Sequence, residues 1–281
     1  MPGTPLVTTN WLAENLSRPD LVVLDASFHL PTSGRDAKQE FVVAHIPGAQ
    51  FFDIEDIADQ NTDLPHMLPS DAEFTEKVSA LGVGNDKTVV LYDAAGIFSA
   101  PRAWWMLRIF GLTQVYVLDG GLPKWRAEGR PLSDTLDVPV PGTLKGMLDT
   151  SKVYDLEQVK DVVNGADGVI VDARGRGRFT AEEPEPREGM RSGHMPGAKS
   201  VPLAELLVDG AYKSPQDLKK IFHDAGINAN KRAVCTCGSG VTAAGIALGL
   251  TLIGHEDHVV YDGSWAEWGS RQDTPISTGS A

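Results

Sequence analysis

At 281 residues, the chain is long enough for two domains of ordinary size, each with its own buried core. Hydrophobic residues make up 42% and charged residues 22%, which is typical of a soluble globular protein. The 38 acidic side chains outnumber the 25 basic ones, which gives a formal net charge of −13. We therefore expect neither nucleic acid nor an anionic membrane as a partner, and an anionic substrate would need arginines gathered at one site.

Pairs of similar segments run through the chain with a spacing near half its length. Asp25-Ala26 and Asp172-Ala173 each follow an apolar stretch, 147 residues apart. His45-Ile46-Pro47-Gly48-Ala49 matches His194-Met195-Pro196-Gly197-Ala198, 149 residues apart. In each half, short strands rich in Val, Ile and Leu alternate with helical patterns. This alternation predicts a duplicated α/β domain, each copy with a mostly parallel sheet and helices on both faces.

A stretch rich in Pro, Gly, Asp and Thr lies between the two halves. We therefore predict a first domain at residues 1–135, a linker at 136–152 and a second domain at 153–281. His45 and His194 recur at the same place in both halves, so we interpret them as structural histidines.

The most informative stretch is Cys237-Gly238-Ser239-Gly240-Val241-Thr242. An apolar strand is predicted before it, over residues 233–236, and a buried helix after it, over residues 244–250. Two glycines let the backbone curl so that successive N–H groups point at the sulfur, and the helix dipole favours the thiolate form. Cys237 is therefore a candidate nucleophile, with a buried structural cysteine as the alternative on this pattern alone.

The same comparison of the two halves places Asp93 opposite Cys237, 144 residues earlier. A carboxylate cannot act as a sulfur nucleophile, so we predict that the first domain is catalytically inactive. Cysteine-dependent phosphatases need an arginine six residues after the cysteine, and Ala243 stands there. This excludes phosphatase chemistry.

The chain has only two cysteines, Cys235 and Cys237, which are too close for a relaxed disulfide and too few for a structural zinc site. We interpret Cys235 as a small core residue, with a resolving thiol as the alternative. No metal is expected. A reducing compartment, and with it a cytoplasmic location, follows from the cysteine usage and from the absence of a signal-like N-terminus.

The hexapeptide from Cys237 to Thr242 resembles the active-site loop of the 3-mercaptopyruvate sulfurtransferases, within the rhodanese superfamily. The resemblance covers nearly the whole chain, in the order of the family. Further similar segments are residues 45–49, 64–69, 99–105, 183–187, 194–198 and 261–265.

The resemblance implies two tandem rhodanese-like domains and a persulfide formed on Cys237. The family holds the carboxylate and carbonyl of mercaptopyruvate with arginines in the motifs that contain Arg178 and Arg187, although composition alone would make both solvated. Neighbouring Arg174 and Arg176 are interpreted as structural or rim residues. The loop residues that the resemblance assigns to substrate binding are Gly238, Gly240, Val241 and Thr242.

The resemblance also assigns Ser239 and His66 to a proton-handling chain with an aspartate; from residue type alone, His66 is as well explained as a capped loop histidine. By its spacing from His66, the aspartate position holds Glu55 in this chain, with Asp53 and Asp63 nearby. This departure puts the transfer of that role to Glu55 in doubt.

The implied reaction moves sulfur from 3-mercaptopyruvate to a thiol, to cyanide or to a dithiol protein such as thioredoxin, with no cofactor. Family members that prefer thiosulfate carry Arg and Lys where this chain has Gly238 and Ser239, which favours mercaptopyruvate as the donor. The alternatives are a thiosulfate:cyanide sulfurtransferase and a persulfide carrier without turnover of its own.

Overall fold

The computed structural model describes residues 3–228 and 230–280. The outer ends of the two predicted domains, at residues 1 and 281, lie outside the described residues. By internal contacts the chain divides into two compact units. The first comprises the chain up to Gln60, Leu68–Asp149 and Asp209–Tyr212; the second comprises Asn61–Met67, Thr150–Val208 and the chain from Lys213 onward.

The first unit contains a five-stranded sheet and five α-helices. The strands are β1 (Leu6–Val7), β2 (Leu21–Asp25), β3 (Gln50–Phe51), β4 (Thr88–Tyr92) and β5 (Val115–Leu118). The helices are α1 (Thr9–Asn15), α2 (Ala37–Val43), α3 (Asp71–Ala80), α4 (Ala100–Ile109) and α5 (Gly121–Ala127). The strand order is β1-β5-β4-β2-β3, and every pairing is parallel.

The second unit repeats this arrangement. Its sheet contains β6 (Val153–Tyr154), β7 (Val169–Asp172), β8 (Lys199–Ser200), β11 (Ala233–Thr236) and β12 (His258–Tyr261). Its helices are α6 (Leu156–Val163), α7 (Arg176–Thr180), α8 (Pro215–Asp224), α9 (Val241–Leu252) and α10 (Ser264–Trp268). The order is β6-β12-β11-β7-β8, again all parallel. Two further short strands are β9 (Leu207–Val208), in the second unit, and β10 (Ala211–Tyr212), in the segment of the chain that belongs to the first unit.

The two sheets have the same order once their strands are matched in sequence, and this confirms the predicted α/β duplication with parallel sheets. The central strands, β4 and β11, are buried along their whole length, which explains their unbroken apolar sequences. Each unit has its own core, with Trp125 and Tyr92 in the first and Trp265 and Trp268 in the second.

The predicted helix after Cys237 is confirmed as α9, which begins three residues earlier than expected, at Val241. Gly240 precedes it with φ +80°, a left-handed conformation that favours glycine and lets the chain turn sharply into the helix. Nine of its twelve residues are buried, so the helix lacks a polar face.

Part of the segment predicted as a linker, residues 136–152, is bonded to α3 in the first unit. The N–H groups of Gly142 and Leu144 donate to the carbonyl oxygen and the hydroxyl of Ser79, at 2.8 and 3.2 Å. Over the described ranges, the helices are all too short or too polar to cross a lipid bilayer.

Candidate active site

Cys237 lies directly after β11, the middle strand of the second sheet, where the carboxyl ends of parallel strands commonly form binding sites. Its side chain is buried, with 2% of the residue exposed. The carbonyl oxygens of Cys237 and Gly238 accept from the N–H groups of Trp265 and Ala266 in α10, at 3.0 and 2.8 Å. These bonds hold the turn in a fixed conformation.

Ser264 anchors the same turn from the other side. Its hydroxyl accepts from the Cys237 N–H at 3.3 Å and donates to the Tyr261 carbonyl at 2.9 Å. Ser264 has φ +49°, which is rare for a residue with a side chain. Sequence reasoning assigned no role to this serine, and its positive φ is not visible in the sequence.

The next three residues of the turn leave their backbone donors uncommitted. Within the described part of the chain, no protein group accepts from the N–H groups of Gly238, Ser239 or Gly240. These three residues lie in sequence between Cys237 and the N-terminus of α9, where the helix dipole adds positive potential. Uncommitted N–H groups at such a place are able to bind an anionic atom.

The matching turn of the first unit holds a carboxylate in place of the thiol. Asp93 follows β4 as Cys237 follows β11, and its carboxylate is 1% exposed. Its Oδ2 accepts from the N–H groups of Phe98, Ser99 and Ala100 at 2.8 to 2.9 Å, and its Oδ1 from Ala95 at 2.9 Å. This turn is therefore already occupied by the protein's own anion.

Cys235 lies two residues before Cys237, within β11, and is fully buried. Both cysteines are free thiols. Burial raises the pKa of the Cys235 thiol far above its usual range, so this thiol stays protonated. This position agrees with the interpretation of Cys235 as a core residue.

Two guanidinium groups approach the Cys237 turn at Gly238. A Cβ atom placed on Gly238 would lie 3.1 Å from Nη2 of Arg178 and 4.0 Å from Nη1 of Arg187. Arg178 comes from α7 and Arg187 from the proline-rich loop that follows it, so two separate segments converge here. The absence of a side chain at Gly238 leaves the space that Arg178 uses.

Arg174 lies in the same short region but has a different environment. It is 2% exposed, its guanidinium stacks over Trp265 at 4.1 Å, and it pairs with Asp172 at 2.6 Å. Arg176 forms an exposed pair with Glu205 at 2.7 Å. The three atoms nearest to a Cβ at Gly238 belong instead to Arg178 and Arg187.

His66 and Ser239 meet within the second unit, although they are 173 residues apart in sequence. The imidazole Nδ1 and the Ser239 hydroxyl are 2.9 Å apart, and both residues are buried. His66 has φ +62°, a conformation that costs energy for a residue with a side chain and is frequent at functional sites.

The carboxylates considered as partners of His66 are placed as follows. Asp53 accepts from the Glu55 backbone N–H at 3.1 Å, in the first unit. Glu55 itself is exposed, in the first unit. Asp63 is exposed in the same segment as His66.

The remaining candidate residues of the loop lie at the start of α9. Val241 is its first residue and is buried, and Thr242 follows with partial exposure. His45 and His194 instead stack on Phe41 and Phe179 and bond to their carbonyl oxygens through Nδ1, at 2.7 and 2.8 Å. Over the described ranges, no three metal-ligating side chains gather into a group.

Glu185 is a residue of this region that sequence reasoning missed. Its carboxylate is 1% exposed and bridges the guanidinium groups of Arg174 and Arg178, at 2.6 and 2.5 Å. The only signal in the sequence is its position in Glu183-Pro184-Glu185-Pro186-Arg187, which does not distinguish it from Glu183.

A duplicated parallel α/β fold, with a cysteine after the middle strand of one sheet and a carboxylate at the equivalent turn of the other, defines the class of protein to which this chain is compared. Comparison with known proteins agrees with this class. The model of the rhodanese-like domain matches residues 8–128 and 155–271. The chain belongs to the rhodanese family.

Several known proteins match this chain along nearly its whole length. The chain is 43% identical over 283 residues to the 3-mercaptopyruvate sulfurtransferase of Homo sapiens, covering 98% of this chain and 95% of that protein. It is also 43% identical over 271 residues to the thiosulfate sulfurtransferase of Cricetulus griseus, covering 94% and 91%. The crystal structure of the 3-mercaptopyruvate sulfotransferase SseA from Escherichia coli superimposes with a TM-score of 0.86 at 38% identity, covering 93% of this chain and 99% of SseA.

Proposed function

We propose that this chain is a 3-mercaptopyruvate sulfurtransferase in which Cys237 carries the transferred sulfur. One observation supports this most directly: a buried cysteine on a turn with uncommitted N–H groups lies beside two guanidinium groups. Relatives of that name match along almost the whole chain. We assign the chemistry to the second domain, residues 153–281, because residues 1–135 carry Asp93 at the equivalent turn.

Arg178 and Arg187 bind the donor. Planar guanidinium groups match a carboxylate and its neighbouring keto oxygen through paired N–H donors. Both groups approach the turn at Gly238, so a donor held by them would present its sulfur to Cys237. Gly240, Val241 and Thr242 form the end of the pocket where the helix begins.

The transfer balances without a cofactor. The Cys237 thiolate attacks the donor sulfur, the S–S bond forms, and the carbon–sulfur bond of mercaptopyruvate breaks with its electron pair left on the carbon. That carbon takes a proton, which the donor thiol supplies, and pyruvate leaves. The cysteine sulfur is oxidised to the persulfide level while the donor carbon is reduced, so no external oxidant is required.

The turn stabilises the persulfide and the loop histidine handles the proton. The N–H groups of Gly238, Ser239 and Gly240, which have no acceptor among the described residues, donate to the terminal sulfur anion of the persulfide. Ser239 and His66 form a hydrogen-bonded pair through which a proton can pass to the enolate carbon.

The loaded persulfide then passes its outer sulfur to a nucleophilic acceptor, which regenerates the Cys237 thiolate. A small thiol, cyanide and a dithiol protein such as thioredoxin all have this chemistry. We place the protein in a reducing compartment such as the cytoplasm, because the thiolate and a dithiol acceptor must both stay reduced.

The deciding experiment measures pyruvate release from 3-mercaptopyruvate in an assay coupled to lactate dehydrogenase. We expect turnover that is abolished in Cys237→Ser and retained in Cys235→Ser, the matched control for removing one thiol. Intact-protein mass after donor treatment should show one added sulfur atom, lost on treatment with cyanide. A persulfide on Cys235 would contradict the assignment.

The same experiment separates the alternatives. Thiosulfate:cyanide sulfurtransferase activity deserves measurement because one relative carries the name thiosulfate sulfurtransferase. The thiosulfate:cyanide alternative would be favoured if thiocyanate forms from thiosulfate faster than pyruvate forms from mercaptopyruvate. A persulfide carrier would show a loaded Cys237 without catalytic pyruvate release.

A further inference from the structure

Glu185 connects the donor-binding region to the core of the second unit. Its Oε1 accepts from Nη1 of Arg174 at 2.6 Å and from Nε of Arg178 at 3.3 Å, and its Oε2 accepts from Nη2 of Arg178 at 2.5 Å. The carboxylate is 1% exposed, whereas the Arg178 side chain is 22% exposed. Glu185 therefore grips one edge of Arg178 from the buried side.

The two arginines depend on Glu185 to different degrees. Arg174 has further partners: Asp172 through several bonds, the Gly193 carbonyl at 2.8 Å, and the Trp265 ring. For Arg178, Glu185 is the carboxylate partner that the structure shows. Loss of the Glu185 charge would leave Arg174 held and would release Arg178.

Charge around the turn also depends on Glu185. Asp172, Glu185, Arg174 and Arg178 carry two negative and two positive charges, so this connected set is neutral. Glu185 therefore cancels the charge that Arg178 would otherwise add beside Gly238. A site with less uncompensated positive charge favours a monoanion over a compact dianion.

We propose that Glu185 positions Arg178 and, by balancing its charge, sets the preference of the site for a monoanionic sulfur donor over a dianionic one. This inference rests on the proposed function, since it takes Arg178 as a group that contacts the donor. Glu185 itself acts through Arg178 and lies too deep to touch the donor.

The test compares steady-state sulfur transfer to cyanide from mercaptopyruvate and from thiosulfate in Glu185→Gln. The substitution keeps the shape of the side chain and adds one net positive charge. The ratio of the two kcat/KM values should move toward thiosulfate by about tenfold, since a unit charge at this range acts more strongly on a dianion. Glu205→Gln, which breaks the exposed pair with Arg176, is the matched control and should leave the ratio unchanged.

A second variant separates the positioning of Arg178 from the charge of the residue at position 185. Glu185→Asp keeps the charge but withdraws the carboxylate by one methylene, so KM for mercaptopyruvate should rise several-fold while kcat holds. If circular dichroism shows that Glu185→Gln is unfolded, the donor ratio is measured in Glu185→Asp, where the longer distance between the carboxylate and Arg178 should move the ratio toward thiosulfate in the same direction. Equal losses with both donors in Glu185→Gln, or an unchanged KM in Glu185→Asp, would overturn the inference. The unaltered protein tests the proposed function separately, through pyruvate release.

Discussion

Three arginines in one short segment of this protein have different environments because they differ in burial. Arg174 is sealed in the core, Arg176 forms a pair at the surface, and Arg178 lies between these extremes with its outer edge at the Cys237 turn. The role of each arginine therefore depends on the partner that its guanidinium contacts.

Arg178→Ala and Arg187→Ala should each lower kcat/KM for mercaptopyruvate by about tenfold to a hundredfold, since a lost charge-assisted hydrogen bond is worth roughly 1.5–3 kcal/mol. Steady-state pyruvate release measures this. Arg176→Ala is the control that removes an equal charge from the neighbouring surface. Wild-type kinetics in both variants would mean that the donor carboxylate is held elsewhere.

At the scale of elements, the loop that carries His66 meets the turn that carries Ser239. His66→Ala should lose more activity with mercaptopyruvate than with thiosulfate. Only the first donor leaves an enolate that needs a proton, whereas thiosulfate leaves as sulfite. The measurement is kcat with each donor, and the exposed His223→Ala serves as control. Equal losses with the two donors would assign His66 a structural role.

The two equivalent turns differ in what their N–H groups bind. In the first unit, Asp93→Ala would remove the acceptor of the N–H groups of Ala95, Phe98, Ser99 and Ala100, of which those of Ser99 and Ala100 are buried. Each unsatisfied buried group costs about 1–3 kcal/mol, so the free energy of unfolding should fall by at least that amount. Urea denaturation measures it, with the exposed Asp134→Ala as control. An unchanged midpoint would show that the carboxylate does not stabilise the turn.

At the scale of the whole molecule, the two units differ in the partner of one equivalent aspartate. This aspartate is the last residue of β2 in the first unit and of β7 in the second. Asp172 is paired with Arg174. Asp25 has Ser27 at the corresponding place, and the Ser27 N–H donates to the Asp25 carboxylate at 2.9 Å. Burial raises the pKa of Asp25 to about 6, with hydrogen bonds from Ser27 opposing the shift in part.

This difference predicts a pH dependence of stability. The Asp25 carboxyl has a higher pKa in the folded protein than in the unfolded chain, so folding favours its protonated form. Its contribution to the free energy of unfolding is therefore fully present at low pH and is lost as the pH rises through about 6. Asp25→Asn should therefore stabilise the protein above that pH by about 3 kcal/mol or less, and by little near pH 4. Urea unfolding at both pH values measures the effect, with Asp134→Asn as control. A gain that is the same at both pH values would contradict the raised pKa.

Much of the fold and part of the site follow from the sequence alone. The duplication, the parallel sheets, the helix after Cys237 and the contrast between Asp93 and Cys237 could all be predicted. These features depend on hydrophobic periodicity and turn chemistry, which act over a few residues and therefore leave a local pattern.

The rest depends on contacts between segments that are distant in the chain. Nothing local distinguishes Glu185 from Glu183, yet only packing against Arg174 and Arg178 buries the former. His66 meets Ser239 across 173 residues, and the openness of the Cys237 turn depends on bonds from α10. The sequence by itself thus determined the class of the fold and a candidate nucleophile, whereas the tertiary structure alone decided which charged groups surround that cysteine, because burial and pairing of charges are properties of the packed chain.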